Sequence, residues 1–259
     1  MGKRKYFFFD YDGTLAIPHT KDIPESTREA LRLLEEAGHF LALNTGRLQC
    51  NALEYIESAG FRNIVADGGY SVTVDGQLLW MRGLDMGPLK ACLHKLDEMG
   101  IPWAVTCKNE PCRVTNNEKF FQLEDDYYLP TVLDPDMTID GLTQAFKGYI
   151  PCRFADQEAL LATGVLDGVP WVTFGRDTLF IEPLSKDVGI RYLMDYYGAP
   201  LEDVVVFGDG KNDISMFCPE WTSIAMENAV PELKARANYV TGPCDGDGIL
   251  DACKHFGWL

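Results

Sequence analysis

Positive charge is what this chain has least of. Its 259 residues hold 23 lysines and arginines against 39 aspartates and glutamates, a formal net charge of −16, with no basic run. That balance argues against nucleic acid and anionic membranes as partners. An anionic substrate would need a local positive site, set against the field of the whole molecule. Histidine is scarce too: His19, His39, His94 and His255 show no ligand spacing. The eight cysteines contain no Cys-x-x-Cys, and Cys107 and Cys112 are the closest pair. Free thiols in a cytoplasmic protein are therefore expected rather than zinc or disulfides. No run of about 18 apolar residues occurs, so no membrane-spanning helix is expected. After Met1-Gly2-Lys3-Arg4-Lys5 only four apolar residues precede Asp10, too few for the apolar core of an export signal.

What the chain does have is apolar content of 46%, enough to exclude a disordered polypeptide, in a length that suits one large domain or two small ones. The first apolar run, Tyr6 to Phe9, is too short for a helix pattern and reads as a buried strand. It stops at Asp10-Tyr11-Asp12-Gly13-Thr14, two carboxylates one residue apart and a glycine that permits a sharp turn. Ile23-Pro24-Glu25 opens a helix, with Ala30, Leu31, Leu34 and Ala37 at helical spacing and Gly38 as its stop. A second strand, Phe40 to Leu43, ends at Asn44-Thr45-Gly46-Arg47. A helix over about 48–59 and a short strand near 63–66 follow, and the β-α-β-α-β alternation predicts a doubly wound parallel sheet. Beyond Asp67-Gly68-Gly69, residues 70–74 and 77–81 read as a hairpin joined at Asp75-Gly76.

From about Leu84 to Ile181 the pattern changes. Helical stretches over Pro88 to Met99 and Asp136 to Phe146 lie among short strand-like runs, which predicts an inserted α+β unit built on an antiparallel sheet. In it Lys108, Arg113, Arg153 and Arg176 read as surface charges that could meet an anionic substrate, and Trp103, Trp171 and Phe174 as core packing that could stack on a ring. Alternation then resumes with a helix from Asp187 and the strand Val204 to Phe207, which ends at Gly208-Asp209-Gly210-Lys211-Asn212-Asp213.

Three strand ends and one helix start thus carry polar motifs: Asp10/Asp12, Thr45, Asp209/Asp213 and Lys186. In an open parallel sheet these converge at the carboxyl edge. Carboxylates gathered there repel one another unless a cation intervenes, and oxygen ligands without histidine or cysteine suit magnesium. A nucleophile, a cation and fixed donors are what phosphoryl transfer requires.

In this order and at these positions, the four motifs resemble those of the haloacid dehalogenase (HAD) superfamily of aspartate-nucleophile phosphotransferases, most closely its Cof-type, class IIB phosphatase branch. Ile224-Ala225-Met226-Glu227-Asn228-Ala229 and Asp245-Gly246-Asp247-Gly248-Ile249 resemble it too. The resemblance implies a Rossmann-like core over residues 1–83 and 182–259, with an inserted cap over 84–181 that sets specificity. It implies Asp10 as nucleophile and Asp12 as general acid/base. Thr45, Gly46, Arg47, Lys186 and Asn212 would meet the substrate phosphate. Magnesium would be held through Asp10, the Asp12 backbone carbonyl and Asp209, with Asp213 supporting its water shell. The implied partner is a small phosphorylated metabolite: a sugar phosphate, nucleotide or cofactor phosphate. A phosphomutase of the phosphomannomutase type, or a binding protein without turnover, are the alternatives. The compact Asp209-to-Asp213 spacing and the presence of both Asp10 and Asp12 weigh against them. Two positions depart from the branch. Asp67-Gly68-Gly69 stands where Asn-Gly is commoner, and Asp187 follows Lys186 where glycine is common, an acid that would weaken the positive charge at the phosphate.

Overall fold

A computed structural model describes residues 3–18, 20, 22–124, 129–174 and 176–259, the side chains of 56–58 excepted. Met1, Gly2 and His19 lie outside the described residues. In chain order the first elements are β1 (Tyr6–Phe9), α1 (Glu25–Glu36), β2 (Phe40–Asn44), α2 (Gln49–Ala59), β3 (Ile64–Ala66), β4 (Ser71–Val74) and β5 (Gln77–Met81). Next come α3 (Met86–Glu98), β6 (Ala104–Thr106), β7 (Arg113–Thr115), α4 (Phe120–Leu123), β8 (Thr131–Leu133), β9 (Lys147–Pro151), α5 (Gln157–Leu161), β10 (Trp171–Thr173) and β11 (Thr178–Ile181). The chain finishes with α6 (Lys186–Tyr197), β12 (Val204–Gly208), β13 (Thr222–Ala225), α7 (Pro231–Lys234), β14 (Tyr239–Val240) and α8 (Gly248–Phe256). Two compact units result: Met1–Arg47 with Ala52–Met81 and Leu184–Leu259, and Leu48–Asn51 with Arg82–Pro183.

The first unit is built on one sheet, ordered β14-β13-β12-β1-β2-β3-β4-β5, with strands from both ends of the chain. Pairing is parallel from β14 through β3 and antiparallel across β3-β4-β5. A parallel sheet is covered on both faces, so its central strands are apolar at every position. In β1, Phe7 and Phe9 join the cluster that includes Leu31 and Leu34 of α1 and Ile249 and Cys253 of α8. Tyr6 and Phe8 face the other way, with Ile190, Leu193 and Met194 of α6. Two-residue alternation thus splits one aromatic run between two cores, each fully buried phenylalanine contributing about 1.5–3 kcal/mol.

The second unit carries a six-stranded sheet, β10-β11-β9-β6-β7-β8. It is antiparallel except at its edge, where β7 and β8 run parallel, so the expectation of a wholly antiparallel sheet is corrected there. Leu89, Cys92, Leu93 and Leu96 of α3 pack with Val105, Ile150, Leu179 and Ile181 on one sheet face. The helix expected over Asp136 to Phe146 is absent; that segment is turn and coil. Ile139, Leu142 and Phe146 are buried at helix-like spacing, but local side-chain bonds hold a different backbone. The Asp134 carboxylate accepts from Asp136 N at 3.2 Å, and Thr138 Oγ1 accepts from Gly141 N at 3.1 Å. Short polar side chains competing for the backbone in this way favour turns over helix.

Candidate active site

The site lies at the carboxyl ends of β12, β1 and β2, adjacent parallel strands of the first unit. Asp10 follows β1 directly, and its N–H donates to Phe207 O at 3.0 Å, so the ladder carries it to the edge. Gly13 makes the turn possible. Its φ is +87°, and a Cβ there would collide with the Asp209 carboxylate, so only glycine lets the Asp12 loop approach β12 this closely. Thr14 Oγ1 donates to Asp209 Oδ1 at 3.1 Å, fastening the same loop to the same carboxylate.

Lys186, the first residue of α6, is buried and donates from Nζ to three acceptors: Asp10 Oδ1 and Asp213 Oδ1, each at 2.6 Å, and Asn44 O at 2.8 Å. These use all three ammonium donors. Asp213, fully buried, accepts with its other oxygen from Asp209 N at 2.9 Å and Gly210 N at 2.8 Å. Asp213 therefore anchors the lysine and the turn after β12 with both oxygens. Asp10, Asp209 and Asp213 each offer a carboxylate oxygen within 4.8 Å of the others.

Three carboxylates around one ammonium leave two negative charges uncompensated. Burial first, and Asp213 second, push the Asp10 carboxyl well above the usual carboxylate range in spite of Lys186. Burial and Asp213 likewise push Asp209 up to about 7. Burial alone would lower Lys186, but the charges of Asp10 and Asp213 outweigh it and hold the ammonium above its usual range. A cluster of hard oxygen donors short of positive charge fits a divalent cation of the magnesium type.

Asp12 sits apart from this cluster. Its side chain is half exposed, and Oδ2 accepts from Arg47 Nη2 at 2.6 Å. Thr45, buried after β2, accepts on Oγ1 from Arg47 N at 3.2 Å, and Gly46 lies between them in the loop. Asn212 is half-buried beside Gly210, where a Cβ would meet its side-chain oxygen. Asp187 turns along its own helix to Arg191, at 3.4 Å, so the acid after Lys186 is spent on that pair. Asp67 hydrogen-bonds Ser71 Oγ at 2.6 Å, and Gly68 O accepts from Ser185 N at 2.9 Å. Gly69, at φ +104°, lies against the Ser185 backbone where no Cβ fits, so this loop seats the start of α6.

Sequence reasoning assigned no role to Asn228. Its Nδ2 donates to Gly13 O at 2.8 Å and its Oδ1 accepts from Cys244 N at 3.0 Å, tying the Asp12 loop to the loop before α8. The segment Ile224 to Ala229 was the available signal, but nothing in its spacing picks out the amide. In the second unit, Arg113 is buried rather than a surface charge, its guanidinium 4.9 Å from the Phe120 ring centroid. Arg153 is exposed and paired with Asp156. Trp103 is core, donating to Asp97 at 2.7 Å.

Known proteins resemble the chain over nearly its whole length. A family model for haloacid dehalogenase-like hydrolases matches residues 7–147 and 171–253. The Bacillus subtilis protein YkrA, which carries a phosphatase name, is 32% identical over 257 residues, covering 98% of both chains. The B. subtilis 5-amino-6-(5-phospho-D-ribitylamino)uracil phosphatase YitU is 24% identical over 262 residues, covering 95% of both. Among solved structures, the HAD subclass IIB sugar phosphatase BT4131 superposes with a TM-score of 0.77 at 26% identity, covering 98% of this chain and all of its own.

Proposed function

The chain belongs to the haloacid dehalogenase-like hydrolases, in their Cof-type class IIB phosphatase branch, and we propose that it is a magnesium-dependent phosphatase of small phosphorylated metabolites. The observation that carries this reading is the buried Lys186 ammonium shared by Asp10 and Asp213 beside Asp209, at the edge where Asp12 and Thr45 also emerge. One lysine and a carboxylate cluster short of positive charge stand together, with the proposed acid Asp12 on the adjoining loop, and this supports the reading.

In the proposed reaction an Asp10 carboxylate oxygen attacks phosphorus while the bond to the substrate oxygen breaks. Asp12 gives its proton to that leaving oxygen, and an aspartyl-phosphate forms on Asp10. Asp12, now a base, takes a proton from water. The resulting hydroxide attacks phosphorus, the acyl-phosphate bond breaks, and inorganic phosphate leaves with Asp10 restored. Lys186 balances charge on Asp10 and on the phosphoryl oxygens, while the Thr45 hydroxyl and the Asn212 amide would hold them. Asp10, the Asp12 backbone carbonyl and Asp209 would hold magnesium, with Asp213 holding the surrounding groups in position; bound there, it neutralises negative charge on the transferring phosphoryl group. Relatives named for a phosphorylated ribityl chain and for sugar phosphates support a phosphoester of a sugar or sugar alcohol as substrate, over a nucleotide or cofactor phosphate. All eight cysteines are free, which supports a reducing compartment such as the cytoplasm.

The test is phosphate release across a panel of phosphorylated sugars, sugar alcohols, nucleotides and cofactors, with magnesium and then with EDTA. Metal-dependent release from the sugar and sugar-alcohol members is the expected result. Isomerisation of hexose phosphates without phosphate release would instead make the protein a mutase. Tight binding with no turnover would make it a binding protein.

A further inference from the structure

Asp12 has a problem that Asp10 does not. Asp10 is held by burial, whereas the Asp12 side chain is 52% exposed on a loop and must be held by something else. The contact available is Arg47, a short charge-assisted bond of 2.6 Å from Nη2. Arginine is itself long and flexible, so this bond positions Asp12 only if Arg47 is positioned first. Tyr55 of α2 does that: its ring centroid lies 4.1 Å from the guanidinium carbon, well inside cation–π range. Tyr55 in turn meets Tyr11 edge-on, centroids 4.9 Å apart at 80°. Tyr11 is fully buried and sits in the chain between Asp10 and Asp12. The contacts therefore close a ring: Tyr11 is joined by the backbone to Asp12, Asp12 to Arg47, Arg47 to Tyr55, and Tyr55 back to Tyr11.

We propose that Tyr55 is a positioning residue for Asp12, acting through Arg47, so that the carboxyl meets the leaving oxygen when the phosphoester bond breaks. The proposal rests on the reading of Asp12 as the acid. Its consequence falls on one step. When the P–O bond breaks, the electron pair goes to the departing oxygen, and a poor leaving group needs the Asp12 proton at that moment. A good leaving group departs as its anion without it. Misplacing Asp12 therefore hurts poor leaving groups selectively, whereas a merely structural defect hurts all substrates alike.

The probes are phenyl phosphate and p-nitrophenyl phosphate, nearly equal in shape and unequal as leaving groups, used with the full chain and magnesium. For each, kcat/KM reports the steps up to departure of the phenol. Tyr55→Ala should lower kcat/KM about tenfold for phenyl phosphate and less than about threefold for p-nitrophenyl phosphate, a fraction of what general acid catalysis supplies. Tyr55→Leu, which keeps apolar bulk without the aromatic face, should show the same split if alanine loosens α2. Tyr55→Phe keeps the face and should restore the substrate ratio to within about twofold of the parent. Asp12→Ala should show a larger split, and adding Tyr55→Ala to it should change the ratio by no more than about twofold. Equal losses on both substrates, or a full further split in the Asp12→Ala background, would overturn the role of Tyr55 and leave Asp12 as the acid. No split from Asp12→Ala itself would overturn the assignment of the acid, and this proposal with it.

Discussion

Each unit of the molecule buries charged side chains, and the two do it differently. At the strand ends of the first, one lysine faces three aspartates, and formal charge does not balance. In the second, among the described residues, two buried cations face two anions. Lys147 is ion-paired with Glu182, both side chains at most 4% exposed. Arg113 lies 3.6 Å from Glu124, whose two oxygens also accept from Thr178 Oγ1 at 2.8 Å. Burying an ion costs several kcal/mol unless partners compensate it. The balanced set is accounted for by its own pairs. The unbalanced set needs bound protons or a further cation to compensate it, and it is the one at the strand ends. Uncompensated burial, more than burial of charge as such, separates the proposed reactive region from the structural one.

The largest effect that would break this contrast is at Asp10. Asp10→Asn should lower turnover by at least about 10³-fold with the circular dichroism spectrum unchanged; a variant retaining most of its activity would remove the nucleophile from the reactive region. The next tests the balanced set. Lys147→Met leaves Glu182 buried without its partner and should cost about 3–5 kcal/mol in denaturant unfolding, whereas Lys147→Met with Glu182→Leu should recover most of that. If the double change is as costly as the single one, the pair is more than structural.

The third prediction sharpens the contrast through pH. Asp10 and Asp209 bind protons more tightly folded than unfolded, Asp209 at about 7 against an ordinary 3.8. The folded state then holds more bound protons between those values, so metal-free stability should fall as pH rises from about 4 to about 7, by roughly 2–4 kcal/mol. Thermal unfolding in EDTA should show this fall, and magnesium should remove most of it. An EDTA curve flat across that range would mean that the cluster is already compensated. The smallest effect is at Asp187, whose carboxylate serves Arg191: Asp187→Asn should change kcat/KM by less than about twofold, and a larger gain would restore it as a brake on the phosphate site.

Much of the site was readable from the chain because strand ends in a parallel sheet announce themselves. Tyr6 to Phe9 and Val204 to Phe207 are apolar at every position, so the aspartates that stop them are conspicuous. The second unit offered no such contrast. Its strands β7 and β8 are three residues long, and Arg113 on β7 looks like any surface arginine until Phe120, Tyr149 and Glu124 close around it. The spacing of Ile139, Leu142 and Phe146 suits a helix face and a packed turn equally well.

The sequence by itself determined the class of sheet, its order of alternation, and which side chains would arrive at its carboxyl edge, because hydrophobic period and turn residues are local properties. Tertiary structure decided what those side chains do to one another. That Lys186 divides itself between Asp10 and Asp213, that Arg47 holds Asp12, and that Asn228 reaches Gly13 are contacts across 27 to 215 residues of chain. No local pattern encodes them. They exist because β12, β1 and β2 pair in that order and bring distant loops to one edge, where burial then sets the charge on each group.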